Sequence, residues 1–260
     1  MVEKCIIYLI DKKQQQGEEM SKKDYTHLII ILDRSGSMSS IRNDMEGGFN
    51  EFIFQQKEND GEATLSLMQF DDRYEVVHSN IDIADVPELD LAPRGGTALL
   101  DAMGKTLNTE RDRIEKMDGD DKPDKVVCVT ITDGQENMSK EYDRKRIGEM
   151  VKSLEDLDEA DEPDWSFVFL GANMDAIAEG GSMGYRAGAS YTYDASGEGT
   201  RCAFVSLSKS MTTHRAAAKG ADYTFEAEDR KKQEDILSKK AEHKFGKAIP
   251  SYVTDLADDK

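Results

Sequence analysis

Asp33, Ser35 and Ser37 occupy alternate positions in the stretch Asp33-Arg34-Ser35-Gly36-Ser37-Met38, so one turn of chain can aim three side-chain oxygens at a common point. Two more oxygen donors stand in similar settings, Thr97 after Gly95-Gly96 and Asp133 before Gly134, where glycine lets neighbouring loops approach closely. The set holds carboxylates and hydroxyls but no thiolate or imidazole. Such donors suit a hard divalent cation with octahedral preference, Mg²⁺ or Mn²⁺, that keeps several waters. Two carboxylates balance a 2+ ion, so a further carboxylate from outside can join without excess negative charge. The ion then becomes a receptor for Asp or Glu. Taken singly, Ser35 and Ser37 are turn formers or helix caps and Asp133 is an N-cap; taken together they make one coordination set.

Regular elements must bring these donors to one place. His27–Leu32 (HLIIIL) is a nearly continuous apolar run, the mark of a strand buried on both faces of a parallel sheet. Beyond the DRSGSM turn, Ile41, Met45, Phe49, Phe52 and Ile53 recur at helical spacing, with Gly47 and Gly48 either weakening that helix or permitting close packing. Ala63–Phe70 and Arg73–Ser79 read as an antiparallel pair joined by Asp71-Asp72. A helix follows Thr97 through Leu99, Leu100, Met103, Thr106 and Leu107, and Lys125–Thr132 (KVVCVTIT) is a second buried strand. Ile147, Met150, Val151, Leu154 and Leu157 mark another helix before the strand Trp165–Gly171. A short edge strand, Ala189–Tyr193, and a helix over 199–218 carrying Phe204, Leu207 and Met211 complete the pattern. Alternation of this kind predicts a doubly wound, mostly parallel α/β sheet, Rossmann-like, with one antiparallel hairpin strand and helices on both faces. Ligands of such sheets bind outside the carboxyl ends of the strands, and there the three donor loops emerge.

The stretches Asp33–Met38, Gly95-Gly96-Thr97 and Thr132-Asp133-Gly134 resemble the metal-ion-dependent adhesion site (MIDAS) of the von Willebrand factor A domain family, over roughly His27–Ala218. The resemblance implies that Ser35 and Ser37 bind the ion directly. It implies that Thr97 and Asp133 exchange direct and water-mediated roles as ligand arrives, with Asp33 acting mainly through water. It further implies a protein partner that closes the coordination sphere with Asp or Glu, in a multiprotein complex or beside an ATPase, and no catalysis. The narrower likeness is to stand-alone A domains of bacterial and phage genomes.

The remaining sequence sets bounds. A net charge of −19, from 53 acidic and 34 basic residues, repels nucleic-acid phosphates and anionic membranes, so neither is expected as a partner. Cys5, Cys128 and Cys202 lack metal-site spacing and read as structural thiols of a reducing, cytoplasmic compartment. Residues 1–24 read as an N-terminal extension in which Met20 is an alternative translation start. The domain spans 25–218, and 219–260 is a charged tail with a solvated helix supported by Glu228–Lys232 and Asp235–Lys239 pairs. Gly180-Gly181-Ser182-Met183-Gly184 fits the hydrolase elbow pattern but lacks the preceding buried strand. Asp118-Gly119-Asp120-Asp121 fails the calcium-loop spacing, and no phosphate-binding glycine loop follows a strand. Two other functions fit the same donors: a metal-dependent phosphohydrolase or phosphotransferase, for which only Arg34 and Arg94 offer nearby positive charge, and an assembly subunit whose ion merely braces three loops.

Overall fold

The computed structural model describes residues 24–157 and 162–245, with side chains placed through residue 240. The expectations for Cys5 and the Met20 start lie outside the described residues, as does the end of the tail. Six strands form one sheet: β1 (Thr26–Asp33), β2 (Ala63–Phe70), β3 (Tyr74–Asp82), β4 (Lys125–Thr132), β5 (Asp164–Ala172) and β6 (Ser190–Tyr193). Their order is β3-β2-β1-β4-β5-β6, and only the β2–β3 pair is antiparallel. The doubly wound architecture expected from the alternation is therefore present.

Strand β1 is central because it buries every residue, and its period of two divides those residues between two cores. Leu28, Ile30 and Leu32 face helices α1 (Arg42–Lys57) and α5 (Gly197–Ala216) through Met45, Phe49, Phe52, Phe204 and Leu207. Ile29 and Ile31 face α2 (Leu99–Glu115), α3 (Arg144–Glu155) and α4 (Ala176–Ser182) through Leu99, Met103, Ile147 and Val151. Burying such side chains contributes roughly 1.5–3 kcal/mol each. That term holds the sheet between two helical layers, while the edge strand β3 remains largely exposed.

Gly47 and Gly48 divide the two roles expected of them. A Cβ on Gly48 would stand 2.2 Å from Cδ2 of the Phe204 ring, whereas one on Gly47 would meet nothing within 4 Å. Gly47→Ala is expected to stabilise the protein by about 0.5–1 kcal/mol through helix propensity. Gly48→Ala is expected to destabilise it by about 1–3 kcal/mol through overpacking against α5. Urea midpoints of the two variants check the opposite signs.

The hairpin connection comprises Asp71–Arg73, one residue longer than the expected Asp71-Asp72, because the Asp71 carboxylate closes the turn by accepting the Arg73 N–H at 2.7 Å. The segment after 218 also differs from the expected solvated tail. Helix α6 (Ala227–Phe245) packs beside α5 and β6, with Tyr223, Phe225 and Leu237 buried. Arg230 donates to the carbonyls of Ala187, Gly188 and Ser190, and the Phe225 N–H to that of Gly188, so this segment covers the short edge strand β6. Its inward stripe is Asp229, Gln233 and Leu237, mostly polar, so a search for apolar periodicity passes over it. Glu228–Lys232 forms at 3.3 Å; Asp235–Lys239 does not appear among the described ion pairs.

Ser182 is an exposed residue at the end of α4, donating to the Glu179 carbonyl, with no strand before it. Gly119–Asp121 is an exposed turn leading into β4, at the sheet end remote from Asp33. Cys128 is buried in β4 and Cys202 is half-buried on α5, both as free thiols. Among the described residues no helix is long and apolar enough to cross a membrane.

Candidate metal centre

At the end of β1 the chain turns through Ser35–Ile41. Met38 and Ile41, both essentially buried, pin this turn to the core beneath it. The Ser35 N–H donates to Asp33 Oδ1 at 2.6 Å, which folds the serine back over the strand end. The Ser35 and Ser37 hydroxyls lie 3.0 Å apart, and Ser37 donates to Asp133 Oδ1 at 2.6 Å across 96 residues of sequence. A Cβ on Gly134 would stand 2.9 Å from Thr97 Oγ1, 3.5 Å from Ser37 Oγ and 3.7 Å from Asp33 Oδ2. All five expected donors thus meet beside Gly134, in a cradle that any larger residue there would fill. Asp33, Ser35 and Thr97 are buried, Asp133 is half-buried and Ser37 is exposed, so the group opens to solvent on one side.

Thr97 is held from the β4–α3 loop. Asn137 accepts from the Thr97 N–H at 3.0 Å, while the N–H groups of Asn137 and Met138 donate to the Thr97 carbonyl. Helix α2 has no cap from its own Ala98; Glu136 accepts from the Leu100 N–H and Ser139 from the Asp101 N–H instead. Asp101 returns the arrangement by accepting the N–H groups of Lys140, Glu141 and Tyr142. Orphan donors at the start of α2 are thereby satisfied by the loop that carries Asp133, and two of the three donor loops move as one.

Beneath the centre lies Asp71, fully buried, accepting from Arg34 Nε at 2.9 Å and Arg94 Nε at 2.8 Å. Burial alone would raise the Asp71 carboxyl; Arg94, the Arg73 N–H and Arg34 outweigh it and hold the group below its usual range. The Arg94 N–H also donates to the Arg34 carbonyl, and that of Gly36 to the Gly95 carbonyl, lacing the Thr97 loop to the Asp33 turn.

Burial pushes the Asp33 carboxyl up to about 6, against hydrogen bonds from Thr132 and Ser35, and the neighbouring Asp133 adds like-charge repulsion. Burial likewise raises Asp133, against the Ser37 hydrogen bond. Both carboxylates are costly to ionise without a counter-charge, which is the electrostatic condition of a cation site. Because the folded Asp33 value exceeds its ordinary one, the folded chain binds more protons than the unfolded chain from about pH 4 to 6. Stability from this group is therefore full below about pH 4 and is lost as pH rises through about 6. Among the described residues no three His, Cys, Asp or Glu side chains converge, because three of these five donors are hydroxyls.

No protein-family model matches the sequence, and no curated protein matches it. Solved structures do. Proximal thread matrix protein 1 of the mussel byssus, in a form with a zinc-occupied MIDAS motif, superposes with a TM-score of 0.50 and 16% identity over 73% of this chain. The pilus adhesin SpaC from Lactobacillus rhamnosus GG gives 0.50 and 10% over 73% of this chain. The match spans 46% of the first protein and 30% of the second, less than half of either. The chain carries the von Willebrand factor A fold.

Within this A fold, several supporting residues escaped the sequence reading. The β1–β4 register sets Ile131 beside Leu32, which brings Thr132 next to Asp33, and the Thr132 hydroxyl donates to Asp33 Oδ2 at 2.6 Å. Its place at the end of a buried strand was the available signal. Asp71 gave the signal of a turn residue only, and Glu136, Asn137, Ser139 and Asp101 gave none, since they act on backbone distant in sequence.

Proposed function

We propose that the chain is a binding module in which Asp33, Ser35, Ser37, Thr97 and Asp133 hold one Mg²⁺ and an acidic side chain of a partner protein completes the coordination. The observation that carries this is the meeting of three hydroxyls with two carboxylates raised by burial, on a solvent-open face. Bound there, the ion would take Ser35 and Ser37 as direct ligands, with Thr97 and Asp133 direct or water-mediated and Asp33 reached through water; Asp33 also organises Ser35 by accepting its N–H. The ion supplies a site for a carboxylate; the chain's own residues hold the loops and keep the apolar core beneath them dry. The A-fold proteins with a metal-occupied MIDAS and an adhesin role support this assignment. Binding without catalysis is also favoured by the histidines whose side chains are described: His27 and His214 are buried and His78 lies within β3, so none of these three stands at the carboxyl ends of the strands as a base. The proposed partner belongs to a cytoplasmic multiprotein assembly; the free thiols of Cys128 and Cys202 support a reducing compartment.

Calorimetric titration of Mg²⁺ and Mn²⁺ is expected to show stoichiometric binding to the wild type that is lost in Ser35→Ala and Asp133→Ala, both folded by circular dichroism. A wild type with no heat of binding, or alanine variants that still bind fully, would overturn the assignment.

A further inference from the structure

The face around the five oxygens has two chemically distinct flanks. On one lies Arg94, whose side chain is 52% exposed and whose Nε alone is engaged, on buried Asp71. Its two terminal Nη groups have no protein partner among the described residues. Arg34 is different: it spends its donors beneath the surface on Asp71, Gln69 and Glu75. Residues 94 and 95 run in backbone hydrogen-bond contact with residues 34 and 36, so Arg94 borders the Asp33–Ser37 turn. Past Gly95-Gly96 lies the second, Met138, 42% exposed. A Cβ on Gly96 would stand 2.7 Å from Met138 Cγ, which puts the thioether against the glycine pair before Thr97. Among the described residues, the other exposed large apolar side chains, Phe54, Val76, Val77, Leu157 and Val205, sit away from these loops.

We propose that Arg94 and Met138 are further contacts of one docking face, so that the partner is an acidic segment carrying two carboxylates and an apolar residue. One carboxylate completes the ion, the second pairs with the Arg94 Nη groups, and the apolar side chain lies on Met138. This rests on the acid-binding assignment above and names the partner chemistry it requires. The charge argument is direct. A chain of net charge −19 repels an acidic segment at long range, so capture needs concentrated positive charge at the point of contact. The ion supplies part of it, and Arg94, although Asp71, Asp72 and Glu75 lie near it, is the guanidinium on this face whose terminal nitrogens make no hydrogen bond among the described residues. Two parallel Nη donors match a carboxylate in bidentate fashion. Because Asp71 already holds Nε, the side chain is positioned before binding and little rotamer entropy remains to be lost. Met138 adds an adaptable apolar contact beside Gly96.

The test is selection of displayed random peptides on immobilised protein in millimolar Mg²⁺ with elution by EDTA, run on wild type, Arg94→Gln, Arg94→Lys and Met138→Ser. Each variant is first checked for native circular dichroism, and its Mg²⁺ affinity is measured by calorimetry so that selection is run with the ion saturating; this separates a lost peptide contact from a weakened centre, since the Arg94 variants also alter the Asp71 contact. Wild-type selections are expected to converge on one acidic residue with a second at fixed spacing and an apolar residue to the other side. Arg94→Gln keeps the first acid and loses the second, Arg94→Lys recovers the preference for a second acid only in part because it lacks the fork of donors, and Met138→Ser loses the apolar preference. For one enriched peptide measured by fluorescence polarisation, Arg94→Gln weakens binding about tenfold. The same motif from wild type and Arg94→Gln would overturn the role of Arg94. Enrichment without acidic residues, or elution indifferent to EDTA, would instead overturn the acid-binding assignment itself.

Discussion

Asp71→Ala is expected to destabilise the protein by up to about 3–5 kcal/mol, because it removes the buried carboxylate shared by Arg34 and Arg94 and leaves buried Arg34 only the half-exposed Glu75 as counter-charge. The Arg34 side chain is 7% exposed and would keep only Gln69 at 3.4 Å and the half-exposed Glu75. The Arg73 N–H that closes the hairpin and the Arg94 Nε would also lose their acceptor. A surface pair gives the contrast in scale: Asp90, 90% exposed and 3.3 Å from Arg42, should cost at most about 1 kcal/mol on replacement by alanine. Chemical denaturation of the two variants measures the difference. Since Asp71 supports two of the donor loops from below, Mg²⁺ affinity should fall about tenfold in Asp71→Ala even where the protein remains folded. A cost near that of Asp90→Ala would show that the buried carboxylate does not organise the centre.

Asp33→Asn should move stability and ion affinity in opposite directions. The amide retains an acceptor for the Ser35 N–H and can donate to Thr132 Oγ1, which already lies within 3.1 Å of the Gly134 carbonyl as an alternative acceptor for its own proton. It removes a buried charge whose pKa has been pushed up to about 6, with desolvation the leading cause and Asp133 repulsion adding to it. At neutral pH the ion-free variant should therefore be more stable than wild type, by roughly 3 kcal/mol from the size of that shift. Its Mg²⁺ affinity should fall about 10–100-fold, the usual effect of losing a group that orients direct ligands. Thermal melts with and without Mg²⁺ give both readings. In wild type the stabilisation by Mg²⁺ should grow as pH rises from about 4 to above 6, because the ion takes the place of the proton on Asp33. In the variant that pH dependence should flatten. A less stable ion-free variant would show that the Asp33 charge is well compensated within the chain.

The legible features and the hidden ones fall on two sides of one physical line. Strands β1 and β4 were legible because burial on both faces leaves an uninterrupted apolar run, and α1, α2 and α3 because their inward stripes are apolar. Helix α6 was legible as a charged helix but its packing onto the domain was not, because Asp229 and Gln233 turn inward to polar partners. Gln233 donates to the Gly199 carbonyl at 2.7 Å, a burial that residue type alone argues against. The hairpin was legible to within one residue, and the error arose from a side chain that completes the turn from its first position.

Sequence by itself determined the sheet's architecture, since the strand and helix periods are local, and it pointed to the five candidate oxygens: Asp33, Ser35, Ser37 and Asp133 follow the ends of β1 and β4, while Thr97 stands just before α2. Tertiary structure alone decided which polar residues serve those oxygens. Thr132 reaches Asp33 across 99 residues, Asp71 gathers Arg34 and Arg94 across 37 and 23, and Glu136 caps Leu100 across 36. A threonine, an aspartate or a glutamate reads the same on a solvated loop as beneath a cation site. Only the packing of the loops at one sheet end removes water from these groups, and that loss of water makes each of them find its partner.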